Sequence, residues 1–459
     1  MIRFLTVVPL CLGLGACMAT APVEQPSRAA TEAVPMLPPM KTFRSQSALP
    51  PSVSNRDLAR DILDLAFELE SGSSLSTFTR VEGPITVRLT GPAPISLSME
   101  LENLLGRLRR EAGLNISLVQ SGAATITIEA VQHAQIRRFL PSAACFVAPN
   151  VSSLTEYAGA RRSPRTDWTR LQNRQKLAIF LPVDTPPQEM RDCLHEELAQ
   201  ALGPLNDLYR LSDSVFNDDN VHTVLTGYDM LVLRAFYAPE LRTGMSRAEV
   251  ARRLPDILAR LNPAGINQSA LRRSDTPRAW IDAIQTALGP GASKGARLAN
   301  AQKAVNIART AGWEDHRRAF AHYALGRVVQ SRDPDVALSH FLAAQRYYAQ
   351  TPGAELHRAQ VAQQLAAYAL LEGRAQAALD LIGPHLNVAR RHENAALLST
   401  LMLLRAEALD LKGLTAEARL VRLDSLGWAR YGFGSDAAVR AKAQEIATLN
   451  PLKRGNGRL

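Results

Sequence analysis

The sequence predicts an α+β domain with a mixed α/β sheet, followed by an all-α helical-repeat domain. Between residues 55 and 245, short apolar runs of strand character alternate with segments of helical spacing, a pattern typical of one sheet covered by helices. Strand signals then disappear, and residues 293–450 are Ala- and Leu-rich helical segments with short breaks. Alanines recur there at steps of about forty residues, which is typical of stacked helix pairs.

Three helices and five short strands are predicted in the first domain. A helix is predicted from Asn55, because apolar side chains recur at helical spacing behind this cap residue. A second helix is predicted at 97–112. A third opens at Pro186-Pro187, runs to Leu202 and is stopped by Gly203-Pro204. Short strands are predicted at residues 85–89, 115–119, 125–130, 145–148 and 176–181.

A connector and a helical array complete the predicted fold. Ser246 and Glu249 form a capping box, so residues 246–292 are predicted as a helical connector and residues 293–450 as the array. Within the array, the segment 322–344 resembles a tetratricopeptide repeat. This resemblance implies stacked helix pairs with a concave binding face. A plain helical bundle is the alternative.

The N-terminal end has the layout of a secretory signal peptide. Arg3 precedes an apolar stretch at residues 4–14, which is too short to span a bilayer, and small residues lead directly to Cys17. This end resembles the bacterial lipobox, which implies that residues 1–16 are removed and that Cys17 carries a lipid. Residues 17–54 are rich in proline and predict an extended tether. A plain signal peptide that happens to contain a cysteine is the alternative.

These features predict a lipid-anchored protein of the bacterial cell envelope. Met18, rather than an aspartate, follows Cys17, and this favours the outer membrane, with the protein facing the periplasm. The net charge of +10 suits contact with anionic lipid or acidic envelope polymers. Export makes nucleic acid the least favoured of the anionic partners, so we expect none.

Cysteine use fits an exported protein. Cys11 leaves with the signal peptide and Cys17 carries the lipid, so only Cys145 and Cys193 remain. Two cysteines in an oxidising compartment predict one disulfide. That bond would fix the helix around Cys193 to the strand region near Cys145. Two unpaired, buried thiols are the alternative.

The stretch from Cys193 to Asp207 carries the functional question. Its sequence is C-L-H-E-E-L-A-Q-A-L-G-P-L-N-D. In one frame His195 begins a zincin motif, H-E-x-x-H, but the second histidine is replaced by Ala199. One residue further on, the stretch resembles the extended metzincin pattern H-E-x-x-H-x-x-G-x-x-H-D. In this frame His195 points off the motif face, and we expect it at the surface or in a supporting position.

In the metzincin frame, the general-base glutamate is present, but the three metal-ligand histidines are absent. Glu197 stands at the general-base position, and Asp207 ends the motif. Glu196, Gln200 and Asn206 replace the three histidines. One carboxylate and two amide oxygens suit Mg²⁺, Ca²⁺ or Mn²⁺ rather than zinc. Without a metal, Glu197 has no activated water to deprotonate.

Two interpretations of these residues follow. The favoured one is a relic of a zincin site, in which the polar groups bond to a loop and no cofactor is bound. The rival is a hydrolase that uses a non-zinc divalent metal, with Glu197 as general base and with Glu196, Gln200 and Asn206 or Asp207 as ligands. Downstream, the aspartates at 213, 218 and 219 predict an Asx-rich turn rather than a calcium loop. His222 is an alternative metal ligand from that loop.

The same stretch resembles an uncharacterised family of bacterial lipoproteins, the domain of unknown function numbered 2927. Residues 193–207 carry the resemblance, and 213–220 and 239–245 continue it. It covers roughly residues 55–260 and implies an envelope lipoprotein with a zincin-like fold. It implies no known activity.

The sequence therefore favours a binding or scaffold protein of the cell envelope over an enzyme. We expect the helical repeats to contact an envelope protein and the lipid to hold the chain at the membrane. The metal-dependent hydrolase is the first alternative. A regulator whose false active site binds a peptide without cutting it is the second.

Overall fold

The structure is a computed structural model that describes residues 36–43 and 47–454. The predicted signal peptide, the predicted lipidation site Cys17 and residues 18–35 lie outside the described residues. No helix in the described part is long and apolar enough to cross a membrane.

An α/β region comes first and contains a five-stranded mixed sheet, which confirms the predicted fold class. The strand order is β2-β1-β3-β5-β4. The edge strand β4 is antiparallel to β5, and the other neighbouring pairs are parallel. Each strand lies within one residue of its predicted bounds. The strands are β1 (Ile85–Thr90), β2 (Ile116–Leu118), β3 (Ile126–Val131), β4 (Phe146–Pro149) and β5 (Leu177–Pro182).

Helices cover both faces of this sheet. They are α1 (Asn55–Phe67), α2 (Ile95–Glu111), α3 (His133–Arg137), α4 (Leu154–Ala160), α5 (Pro187–Leu202), α6 (Gly227–Phe236) and α7 (Arg247–Leu261). Every residue of β5 is buried. Its Leu177, Ile179 and Leu181 face a large core formed with α1, α2 and α5. Its Ala178 and Phe180 face a smaller core under α3 and α4, as the twofold alternation of a strand requires.

A disulfide fixes the motif helix α5 to the edge of the sheet. Cys145, directly before β4, is bonded to Cys193 of α5, and the two Cα atoms are 5.9 Å apart. The predicted disulfide is therefore confirmed. Because β4 pairs with the sheet on one side only, this bond is a covalent anchor for that strand.

An all-helical region follows, as predicted. The first helices of three successive pairs begin at His316, Glu355 and Ala395, in steps close to the predicted forty residues. The helices are α8 (Arg278–Leu288), α9 (Lys294–Thr310), α10 (His316–Val329), α11 (Pro334–Ala349), α12 (Glu355–Leu371), α13 (Ala375–Arg391), α14 (Ala395–Leu411), α15 (Thr415–Phe433), α16 (Asp436–Ala447) and α17 (Pro451–Arg454).

The predicted connector is divided between two cores. Val250, Leu254 and Ile257 of α7 are buried in the large core of the α/β region. Trp280 of α8 is instead buried among the helices that follow. Residues 246–292 thus contribute one helix to each core, and the α/β region gives way to the helical region between α7 and α8.

The last part of the predicted tether lies along the folded body. We call residues 37–43 and 47–54 the N-terminal strap. The amide of Lys41 donates to the carbonyl of Gly427 at 3.0 Å, and Phe43 stacks on Trp428 with ring centroids 4.5 Å apart. The carbonyl of Leu49 lies so close to Gly227 that any Cβ there would clash with it. The strap is thus held in place before α1 begins.

Candidate functional site

The motif helix α5 turns its predicted site residues toward the protein interior. Glu197 and Gln200 are buried, and Glu196 and Asp207 are half-buried. Burial raises the pKa of Glu197 well above its ordinary value, and the neighbouring charge of Glu196 adds to the effect. Its protonated form is therefore favoured more than that of a solvent-exposed glutamate.

His195 is buried, so the expectation of a surface position was wrong. Its Nδ1 accepts a hydrogen bond from the amide of Leu225 at 3.0 Å. Burial, together with the charges of Arg107 and Arg191, holds its pKa well below the ordinary value, so the ring is neutral and can accept. His195 thereby takes the supporting position, because it fixes the loop before α6.

Arg174 closes the end of the motif helix. Its guanidinium donates to the carbonyls of Gln200 and Ala201 at 2.8 and 3.0 Å and to that of Gly203 at 2.7 Å. These carbonyls are the groups that a helix leaves without partners at its C-terminus. A Cβ at Gly203 would lie 2.4 Å from the ring of Phe236. The turn glycine of the motif is therefore required by close packing.

Four carboxyl groups come together beside α5. We call Glu70, Glu196, Asp207 and Asp218 the acidic cluster. The side chain of Glu70 is hydrogen-bonded to those of Asp207 and Gln200. Burial raises the pKa of Glu196 to about 8, and the charges of Glu70 and Asp218 add to this. Burial and the charge of Glu70 also hold the pKa of Asp207 well above its usual range. The cluster therefore keeps protons at neutral pH.

Helix α8 of the helical region covers the acidic cluster. The amide of Gln285 donates to Asp218 Oδ2 at 3.0 Å, and the Tyr209 hydroxyl donates to the same oxygen at 2.9 Å. Arg278 donates to the carbonyl of Glu70 at 2.8 Å. The acidic cluster is thus in contact with the helical region of the chain.

Three of the four expected metal ligands lie together, and Asn206 does not join them. Glu196, Gln200 and Asp207 lie next to Glu70. Asn206 Nδ2 instead donates to the carbonyl of Asp64 at 3.2 Å. Glu197 is hydrogen-bonded to the backbone of Val147 in β4. The non-zinc ligand set and the base role of Glu197 stay predictions.

A cavity of about 600 Å³ lies on another side of the α/β region. The strap at 47–54, the loop between α5 and α6 and the start of α6 contribute to its lining, together with residues of α1 and α2. The segment between α7 and α8 at 268–273 and the helical region at 352, 353, 355 and 391–393 also line it. Its wall is held by a buried ionic network. Arg210 donates to Asp61 at 2.8 Å, and the Tyr228 hydroxyl donates to the same carboxylate at 2.9 Å.

Asp213, His222 and His392 converge in this cavity wall. Within the described ranges, they are the set of histidine and carboxylate groups whose potential ligand atoms all lie within 4.8 Å of one another, and the acidic cluster is not such a set. The predicted Asx turn is present beside them, since Asp219 Oδ1 accepts from the amide of Val221 at 3.1 Å.

The protonation of this set follows from its pairing. Burial opposes protonation of His222, but Asp213 outweighs that effect and raises the pKa of the ring. Burial, followed by the charge of His222, lowers the pKa of His392 to about 4. At neutral pH His392 is therefore uncharged.

Comparison with known proteins adds one match. Residues 55–256 match the family model described as protein of unknown function (DUF2927). We call this part of the chain the DUF2927 region. No curated protein and no solved structure matches the chain. The matched residues run from the start of α1 into α7, which confirms the resemblance inferred from the motif. The helical region lies beyond the match.

Sequence reasoning missed two features of the site. Arg174 lies outside any motif, and its role as a helix cap depends on chain folding. His392 is 170 positions away from His222 in the sequence, so no local spacing connects them. The sequence offers His222 only as an alternative metal ligand from the loop that also carries Asp213.

Proposed function

We propose that the chain is an exported, lipid-anchored binding protein of the bacterial cell envelope, and that the cavity is its ligand site. The observation that carries this proposal is the cavity's construction. The DUF2927 region, the strap and the helical region each supply part of the wall. A volume of about 600 Å³ lies within the range of small-molecule sites, about 300–1,000 Å³.

The lining favours a small polar molecule with a carboxylate or phosphate group. Arg60, Arg273 and Arg391 line the cavity beside apolar residues such as Leu49 and Leu271. The Nε atom of Arg60 is buried without a hydrogen-bond partner. A guanidinium in that condition is stabilised by an anionic acceptor.

Binding is favoured over hydrolysis for two reasons. Asn206 donates to the backbone of α1, so it does not complete a ligand set with Glu196. Helix α8 also covers the acidic cluster, since Arg278 donates to the carbonyl of Glu70 at 2.8 Å and Gln285 donates to Asp218 Oδ2 at 3.0 Å. Both observations support a zincin-like relic in the DUF2927 region.

A substitution at the cavity mouth tests the binding site. Gln268 lines the cavity and is half-buried, so Gln268→Trp is expected to fill the mouth without disturbing either core. The probes are dipeptides, sugar acids and sugar phosphates, and binding is measured by saturation-transfer NMR. We expect hits that compete for one site and whose affinity falls at least tenfold in Gln268→Trp.

Gln120→Trp is the matched control, because Gln120 is exposed in the turn before β3. Its affinities should equal those of the unmodified chain. Hits that survive Gln268→Trp unchanged, or the absence of any hit, would contradict the proposal.

A second experiment tests the lipid anchor. Cells that express Cys17→Ser are expected to lose all incorporation of an alkyne-bearing fatty acid into this chain, and the chain should leave the membrane fraction. Cys11→Ser is the matched control, since Cys11 lies inside the predicted signal peptide. Label that persists in Cys17→Ser would show that Cys17 is not the lipidated residue.

A further inference from the structure

We propose that Asp213, His222 and His392 bind one divalent transition-metal ion, with zinc as the preferred ion. The site goes beyond the proposed function, because it stands whether or not the cavity takes an organic ligand. It also differs from the motif-based set of Glu196, Gln200, Asn206 and Asp207, which offers carboxylate and amide oxygens and no imidazole nitrogen.

The geometry brings three ligand atoms toward one point. Asp213 Oδ1 lies 3.4 Å from His222 Nε2. The rings of His222 and His392 are 5.6 Å apart and nearly perpendicular, at 69°. All three ligand atoms lie within 4.8 Å of one another. Zinc bonds to nitrogen and oxygen of about 2.0–2.2 Å place neighbouring ligand atoms roughly 3.3 Å apart. The ligand atoms are thus up to about 1.5 Å further apart than in a zinc-bound set, so binding requires the side chains to draw together by that amount.

The buried ring of His222 is a second, independent observation that indicates a bound cation at this place. The residue is only 9% exposed, and its side chain is 1% exposed. Neither ring nitrogen forms a hydrogen bond, and the contact of Nε2 with Asp213 Oδ1, at 3.4 Å, is an ion pair only. Buried polar atoms in folded proteins are nearly always paired. A cation bound at Nε2, between His222 and Asp213, would satisfy this ring.

The surrounding contacts hold the ligands in position. Asp213 is fixed through its carbonyl, which accepts from the Thr226 hydroxyl at 2.9 Å. His357, whose ring lies 5.6 Å from that of His222, is paired with Asp219 at 2.7 Å. His357 therefore lies beside His222 but outside the three-residue set, with its Nε2 already bonded to Asp219.

A close backbone approach completes the site. Gly353 has a φ of +76°, and a Cβ there would lie 3.0 Å from Asp213 Cβ. The loop between α11 and α12 can therefore press against Asp213. His392 follows the last turn of α13. A bound ion would thus connect the DUF2927 region to the helical region.

The ligand set selects the class of ion. Two imidazoles and one carboxylate suit Zn²⁺ and its neighbours Co²⁺ and Ni²⁺, whereas Mg²⁺ and Ca²⁺ prefer oxygen ligands alone. Three protein ligands leave coordination positions that face the cavity, as in zinc sites that accept an exchangeable ligand. Glu355 and Glu393 also line the cavity, and Glu393 is ion-paired with Arg191 at 3.1 Å.

The test uses the full lipidated chain in detergent, without a histidine tag and stripped of metal. ZnCl₂ is the probe, and its binding is followed by calorimetry and by elemental analysis after gel filtration. We expect one zinc ion per chain. His222→Ala and His392→Ala should each weaken binding at least tenfold, while circular dichroism keeps its helical signal.

His385→Ala is the matched control, because His385 lies on α13 but outside the set. It should bind zinc as tightly as the unmodified chain. Cobalt gives a second measurement, since its visible absorption reports imidazole coordination and should be lost in His392→Ala. Absence of zinc binding would overturn the proposal. So would zinc that persists in both histidine variants and is lost in Glu196→Gln, because the ion would then occupy the acidic cluster.

Discussion

Loss of the Cys145–Cys193 disulfide is expected to lower the free energy of unfolding by about 4 kcal/mol. The two cysteines are 48 positions apart, and a cross-link that closes a loop of this length removes about that much chain entropy from the unfolded state. The structure gives a second, local reason why loss of the disulfide should lower the stability. The bond joins α5 to the edge strand β4, which pairs only with β5. We therefore expect β4 to open first when the bond is cut.

Reduction of the unmodified chain measures this effect without a sequence change. Urea unfolding with and without a phosphine reductant should differ by the full amount, and Cys145→Ala/Cys193→Ala should match the reduced protein. Hydrogen exchange should accelerate in β4 before it does so in β3. Equal unfolding midpoints with and without reductant would show that the bond does not contribute to stability.

The elements of the DUF2927 region could be predicted because their signals are local. β5 is a continuous apolar run between polar residues, and such a run fits a strand that is buried on both faces. Pro187 opens α5 and Gly203 ends it, as their backbone preferences require. The disulfide followed from elimination among four cysteines. None of these inferences depends on which elements become neighbours.

The arrangement of the elements could not be predicted in the same way. β2 and β3 are separated by a short loop, yet β1 lies between them in the sheet. The helix α7 carries an ordinary apolar face, and only folding decides that this face packs on α1 rather than on α8. The cavity and the convergence of His222 with His392 depend on the same long-range choices. The spacing of residues in a single sequence therefore predicts neither the cavity nor this convergence.

Replacement of Glu196 by glutamine is expected to stabilise the protein at pH 8 and to change little at pH 4. Burial, followed by the charges of Glu70 and Asp218, raises the pKa of Glu196 from 4.5 to about 8. The folded state therefore binds the proton more tightly than the unfolded state does. The stability from this group is fully present below about pH 4.5 and is lost as the pH rises toward 8.

Glutamine has nearly the same shape and carries no ionisable group, so it removes this loss. Each unit of pKa shift corresponds to about 1.4 kcal/mol, but Glu196 is only half-buried by its accessible surface. We therefore expect a gain on the order of 2 kcal/mol at pH 8. Urea unfolding at pH 4 and pH 8 measures the difference between the two proteins.

Glu102→Gln is the matched control, because Glu102 is exposed on α2. The pH dependence of its stability should follow that of the unmodified chain. The same experiment separates the two interpretations of the motif. In a zincin-like relic, Glu196 has no ion to bind, so its neutralisation relieves repulsion in the acidic cluster. In a working metal site Glu196 would be ionised and ligated, and Glu196→Gln would lower the stability of the metal-loaded protein at pH 8. A loss of stability at that pH would therefore favour the hydrolase.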